Sequence, residues 1–142
     1  MMKALFAALT LLVALSCPVR AETTIVFATD ATWPPMEMVN DQKQVVGYSI
    51  EDMTAAGKEA GFTPVFKNTA WDGIFAGLAA GKYDAIASSV SITDERKQSM
   101  DFSDPYFEVK QGVIVPKSSA IASVADLAGK TVAVQTGTTY LD

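Results

Sequence analysis

Three short apolar runs, separated by two stretches with helical spacing, constrain this chain more than any other feature in it. The runs are Thr24 to Ala28 (TIVFA), Phe62 to Phe66 and Tyr83 to Ala87. The first has no polar residue after its opening threonine, which is the pattern of a strand covered on both faces in a parallel sheet. Between the first two runs, Ser49 with Asp52 three residues later predicts a capping box that opens a helix. That helix carries Ile50, Met53 and Ala56 on one face and is closed by Gly61. Between the second and third runs, Asp72 predicts the cap of a helix bearing Ile74, Phe75 and Leu78 and stopping at Gly81. Strand, helix, strand, helix, strand predicts a βαβαβ unit of the α/β class, with a parallel sheet and right-handed crossovers.

Open sheets of this kind collect ligands at the carboxyl ends of their strands, so the loops there are the places to look for function. The first such loop, Asp30 to Pro35, carries an acid and Trp33, and its two successive prolines donate no ladder bonds. A turn-former at Asp30 and a lid over the core at Trp33 are the structural alternatives for that loop. Asp41 to Gln44 reads as a polar turn between short extended pieces. The second loop brings Trp71. The third, Ala87 to Arg96 (ASSVSITDER), sets serine and threonine hydroxyls before an arginine whose planar fork suits a carboxylate gripped by two hydrogen bonds. A helix start uses the same residues differently, with Ser91 or Thr93 as N-cap, Asp94 and Glu95 favourable to the dipole and Arg96 solvated.

Beyond that point Gln98 to Phe107 is polar and proline-bearing, and Gly112 to Val115 is extended and apolar. Ser123 with Asp126 predicts a second capping box, opening a short helix stopped by Gly129. Thr131 to Val134 reads as a further strand, and Gln135 to Thr139 as a second strand-to-helix turn rich in hydroxyls and backbone amides.

The amino terminus reads as an export signal: Lys3, an apolar run from Leu5 to Leu15 too short to span a bilayer, and a cleavage site ending at Ala21. Cys17 offers a lipid-anchor alternative, against which Ala14 and Leu15 stand in a poor order. A chain cut after Ala21 holds no cysteine and no histidine, which excludes disulfides, histidine or thiolate zinc sites and Ser-His nucleophile pairs. Removing Lys3 and Arg20 from the 11 basic residues leaves 9 against 16 acidic residues, a net charge of −7 that offers nucleic acid nothing.

The motifs Thr29 to Pro35 (TDATWPP), Gly47 to Glu51 (GYSIE), Ala70 to Gly73 (AWDG), Asp84 to Ile86 (DAI), Ser88 to Arg96, Phe102 to Tyr106 (FSDPY), Asp126 to Lys130 (DLAGK) and Gln135 to Thr139 occur here together. With them the whole chain resembles the amino-terminal part of a periplasmic amino-acid-binding protein of an ABC importer, in the polar and basic amino-acid group of solute-binding family 3. The resemblance implies a type II periplasmic binding fold, with lobe 1 over residues 22–110 and the start of lobe 2 over residues 111–142. It implies that Arg96 holds the α-carboxylate of a free amino acid, helped by Ser91 and by Gly137, Thr138 and Thr139. Ser88, Ser89 and Ser91 complete the polar set, Asp30 faces the ligand side chain, and Trp33 and Trp71 form aromatic walls. The implied ligand is lysine or arginine ahead of glutamine, and the implied partner is a membrane permease. The same resemblance implies a periplasmic monomer with no cofactor, no metal and no catalytic residue.

Trp33 and Met36 depart from the aromatic residues usual in the family at those places, which bears on pocket size. The family's acid for the ligand α-amine falls beyond Asp142, so a fragment or truncated product is expected. Two alternatives share the lobe pair: an enzyme resembling cyclohexadienyl dehydratase, and a sensing module of a larger receptor or lytic transglycosylase.

Overall fold

The computed structural model describes residues 23–141. The expected leader over residues 1–21, with Cys17, lies outside them. No helix among the described residues is long and apolar enough to cross a membrane. The chain divides into two compact units, one ending at Ser88 and one beginning at Ser89.

The first unit is built on β1 (Thr23–Thr29), the middle strand of a three-stranded parallel sheet. On one side lies β5 (Phe62–Asn68), in a register running from Thr23 opposite Phe62 to Thr29 opposite Asn68. On the other lies β6 (Ala85–Ile86), with Phe27 opposite Ala85. The parallel sheet matches the expected arrangement. Only two residues of the run from Tyr83 to Ala87 form the strand, although the amides of Asp84 and Ala87 still donate to the carbonyls of Val26 and Ala28. Coverage of β1 is graded: its first two residues are exposed, and Phe27, Ala28 and Thr29 are buried. Phe27 lies against Phe62 and Phe66, with ring centroids 6.3 and 5.7 Å away, so the three aromatics join β1 to β5 beyond their backbone ladder.

Between β1 and β5 a small antiparallel sheet is inserted. Its strands are β2 (Thr32–Trp33), β3 (Glu37–Val39) and β4 (Val45–Val46), with β3 central. The expectation that the loop from Asp30 to Pro35 makes no ladder is corrected here, since Thr32 pairs with Met38 and Trp33 with Glu37. The two prolines occupy the reversal that follows, where no amide is needed.

Helix α1 (Tyr48–Ala60) follows β4. Ser49 is not its cap; it is fully buried within the first turn, and the N-cap is Gly47 at φ 129°. The amides of Tyr48 and Ser49 donate to the carbonyls of Pro35 and Met36 at 3.1 and 3.0 Å, so backbone from another loop does what a capping side chain would have done. The buried line of α1 is Ile50 and Gly57, with Met53 half-buried and Ala56 exposed, which shifts the expected face by one residue. At Gly57 a Cβ would come within 2.7 Å of the Phe62 carbonyl oxygen, and that close approach seats the helix on the start of β5. Gly61 closes α1 in the left-handed conformation, as expected.

Helix α2 (Ile74–Ala79) starts from Gly73 at φ 82°, and Asp72 is exposed and makes no capping bond. A glycine already in the left-handed region occupies the cap position and turns the chain into the helix in place of the aspartate. Ile74 is fully buried, and the Tyr83 hydroxyl donates to its carbonyl. Burial raises the Tyr83 phenol above its ordinary pKa.

The second unit has less regular structure. The charged run after Ala87 gives a three-residue 3-10 turn, Arg96–Gln98, in place of a longer helix. Its N-cap is Glu95, not the expected Ser91 or Thr93, although the Thr93 hydroxyl accepts the Arg96 amide at 3.1 Å. The second capping box is present: Asp126 Oδ2 accepts the Ser123 amide at 2.8 Å and the Ser123 hydroxyl at 2.9 Å, opening the 3-10 turn Val124–Leu127. Gly129 follows at φ 71°. Neither Gly112 to Val115 nor Thr131 to Val134 forms a strand, and Ile114 is 100% exposed. Extended apolar residues become strand only when a neighbouring backbone pairs with them, and neither segment has such a ladder here.

Candidate functional site

The predicted site residues fall into one cluster in each unit. In the first, the central position of β1 decides everything that follows its end. Asp30 leaves the strand buried, 4% exposed, and its amide donates to Ser88 Oγ at 2.8 Å, immediately beyond β6. The next amide, that of Ala31, donates to Asn68 Oδ1 at 3.2 Å, at the end of β5. Both lateral strands thus hold the loop by a side chain, which fixes the direction in which the Asp30 carboxylate leaves the sheet.

That carboxylate accepts from the Thr32 hydroxyl at 2.9 Å through Oδ1 and from the Trp33 indole N–H at 3.4 Å through Oδ2. The second contact is long and weak, yet it orients the ring. An acid and an aromatic face at the carboxyl end of a central strand can attract a cation and stack against its planar or aliphatic part. Trp71 meets Phe75 edge to face, centroids 5.2 Å apart at 79°, and is 9% exposed, so much of its indole packs into the first unit. Asn68 escaped the sequence reading; its only signal is that it is the polar residue at which an apolar run stops.

In the second unit the central residue is Arg96, half-buried on its 3-10 turn. Its Nη1 donates to the Ser91 carbonyl at 2.8 Å and its Nη2 to the Gly137 carbonyl at 2.9 Å. The fork therefore reaches a carbonyl 41 residues away in sequence and ties the ASSVSITDER segment to the turn from Gln135 to Thr139. Within that turn Gly137 has φ 75°, and the Thr138 hydroxyl donates to the Gln135 carbonyl at 2.7 Å. Ser91 Oγ lies 3.3 Å from Thr139 Oγ1. Gln111, which carried no sequence signal, donates through Nε2 to both Thr139 O and Thr139 Oγ1 at 3.1 Å.

Ser89 stands apart. Its backbone has φ 47°, uncommon for a residue with a Cβ, and its buried hydroxyl has no hydrogen-bond partner among the described residues. An orphaned buried hydroxyl costs about 1–3 kcal/mol, and a strained backbone costs a similar amount. Both features fall on one residue.

The chain has relatives among known proteins. The chain is 44% identical over 100 residues to a probable histidine-binding protein of Neisseria gonorrhoeae, covering 70% of this chain and 37% of that one. It is 35% identical over 140 residues to a putative ABC transporter arginine-binding protein of Escherichia coli (strain K12), covering 99% of this chain and 56% of that one. The chain therefore spans about half or less of the length of these relatives. Among solved structures, the arginine-, lysine-, histidine-binding protein of Geobacillus stearothermophilus superposes with a TM-score of 0.78 at 42% identity, over 82% of this chain and 50% of that one. The family model for bacterial extracellular solute-binding proteins, family 3, matches residues 25–141, and this chain belongs to that family.

Proposed function

We propose that this chain supplies ligand-binding elements of an extracytoplasmic receptor that captures a free cationic amino acid and hands it to the membrane permease of an ABC importer. It does so as a periplasmic monomer and without chemistry. In this reading lobe 1 covers residues 22–110 and lobe 2 begins at residue 111. Arg96 takes the α-carboxylate with Ser91, Thr138, Thr139 and the Gly137 backbone, while Ser88 and Ser89 add polar contacts. Asp30 and Trp33 take the side chain, with Trp71 behind them.

The observation that carries the ligand class is the buried Asp30 carboxylate beside the Trp33 indole at the end of β1. A carboxylate there rewards a cationic side chain and repels an acidic one. The relatives described above are named for binding arginine, lysine and histidine, which supports the same class. The same relatives are named as binding proteins, which supports return of the ligand unchanged.

The test is a 15N-detected titration of the chain with each amino acid, a method that registers weak as well as tight binding. L-arginine or L-lysine should shift the Trp33 indole signal and the amides of Ser91, Arg96 and Gly137 together, with L-glutamate inactive and the ligand recovered intact. Shifts produced equally by L-glutamate and L-arginine, or turnover of the ligand, would overturn the proposal.

A further inference from the structure

Thr32 is exposed on β2, so the core does not require it, yet it is tied to Asp30 twice. Its amide donates to the Asp30 carbonyl at 2.8 Å and its hydroxyl to Asp30 Oδ1 at 2.9 Å. A carboxylate only accepts, so the direction of the side-chain bond is fixed by chemistry. The hydroxyl is itself well placed, because Thr32 pairs with Met38 across the β2–β3 ladder and a β-branched residue is stiff at χ1. Trp33 Nε1 donates at 3.4 Å to the other oxygen, Oδ2. These two donors act on the torsion that the backbone ties leave open. Ser88 and Asn68 accept the amides of Asp30 and Ala31, which fixes where the Asp30 side chain starts. The carboxylate plane can still turn about its Cβ–Cγ bond, a torsion with broad minima. A donor on each oxygen restrains that rotation, the hydroxyl bond being the shorter and stronger of the two. Since a carboxylate has about four acceptor positions, each oxygen keeps room for a further donor.

We infer that Thr32 is a positioning residue that holds the plane of the Asp30 carboxylate and thereby favours a planar guanidinium over an ammonium at that acid. The inference rests on the proposed capture of a cationic amino acid and narrows it from any cation to one that bears a guanidinium. A guanidinium meets a carboxylate through two parallel bonds, which requires both oxygens to lie in its own plane. An ammonium is a compact point charge with rotatable donors and takes either oxygen at any tilt of the plane. Holding the plane beforehand removes an ordering cost that falls on the guanidinium and hardly at all on the ammonium. Thr32 touches no ligand in this scheme and acts only through Asp30.

The experiment titrates the chain, its Thr32→Val variant and its Thr32→Ser variant with L-arginine and with L-lysine, followed by the 15N signal of the Trp33 indole. Valine keeps the branched shape and removes the donor, whereas serine keeps the donor and removes the branch. The unaltered chain should bind L-arginine more tightly than L-lysine. Thr32→Val should weaken L-arginine about five- to tenfold and L-lysine by less than about twofold, and Thr32→Ser should recover most of the arginine affinity. Equal losses for the two amino acids would reduce Thr32 to a support of the loop, and no loss for either would make its hydroxyl idle. A serine variant as weak as the valine variant, or an unaltered chain that binds L-lysine as tightly as L-arginine, would contradict the selection of a guanidinium. Each of these four results overturns the inference while leaving capture of a cationic amino acid standing. Failure of the unaltered chain to bind either amino acid would overturn the capture reading, and this inference with it.

Discussion

At the scale of single residues, two charged groups do unlike work. Arg96 bridges the Ser91 and Gly137 carbonyls with its two terminal nitrogens, a geometry that needs a planar fork. Arg96→Ala should reduce amino-acid affinity roughly a hundredfold, since deleting one side of a desolvated ion pair costs on the order of 3 kcal/mol. Because Arg96 lies outside the buried core of the first unit, the thermal midpoint of that unit should stay nearly unchanged. Arg96→Lys keeps the charge but cannot reach both carbonyls, so calorimetry should place it between the two. Asp30→Asn removes the charge but keeps an amide oxygen able to accept from the Trp33 indole. Affinity for L-arginine should then fall by about tenfold or more, and that for L-glutamine by less than about threefold. Equal losses for the two ligands would remove Asp30 from the selection of charge.

At the scale of elements, the helix starts are the informative places. A Cβ at Gly47 would lie 2.4 Å from the Met36 oxygen and 2.9 Å from the Pro35 oxygen, in a backbone conformation that favours glycine. Gly47→Ala should therefore cost about 2 kcal/mol or more in urea unfolding and displace the Trp33 loop, because the atoms in the way are backbone and cannot rotate aside. Asp72→Ala, at a position the sequence marks as a cap, should change stability by less than about 0.5 kcal/mol, since Asp72 is exposed and Gly73 starts α2. The turn after Ser123 depends on pH. Asp126 is held below its ordinary pKa by the amide of Ala122, then by the Ser123 hydroxyl and amide. A depressed carboxylate contributes order that is complete above its unfolded pKa, near 4, and is lost as pH falls through the lower folded value. The Ala122 and Ser123 amide signals should collapse toward random-coil positions only on acidification below about pH 4, and Asp126→Asn should show no such transition.

At the scale of the molecule, every buried hydrophobic side chain among the described residues lies in the first unit, from Phe27 to Ala87. The second unit exposes Phe107, Val109, Ile114 and Val124 to half or more of their area. Hydrogen exchange should find the amides of β1 and β5 most protected and those of residues 112–115 and 131–134 near the unprotected limit, with slow exchange at Val113 or Val132 as the contrary result. Legibility followed distance along the chain. The order β1, α1, β5, α2, β6, the stops at Gly61 and Gly129 and the Ser123–Asp126 box were readable from the sequence, because each depends on residues within a turn or two. Arg96 and Asp30 stood out in the sequence as charged groups in need of partners, while the partners themselves did not. Asp30 is held by Ser88, 58 residues away, and Arg96 by Gly137, 41 away. The cap of α1 moved from Ser49 to Gly47 because the Pro35 and Met36 carbonyls reached the first-turn amides before any side chain was needed. Two apolar segments read as strands stayed unpaired, since a ladder requires a second backbone. Sequence alone determined which groups need partners and how the chain turns locally; tertiary structure decided which partners meet them, because a hydrogen bond is satisfied by whatever group the fold brings within reach, at any separation along the chain.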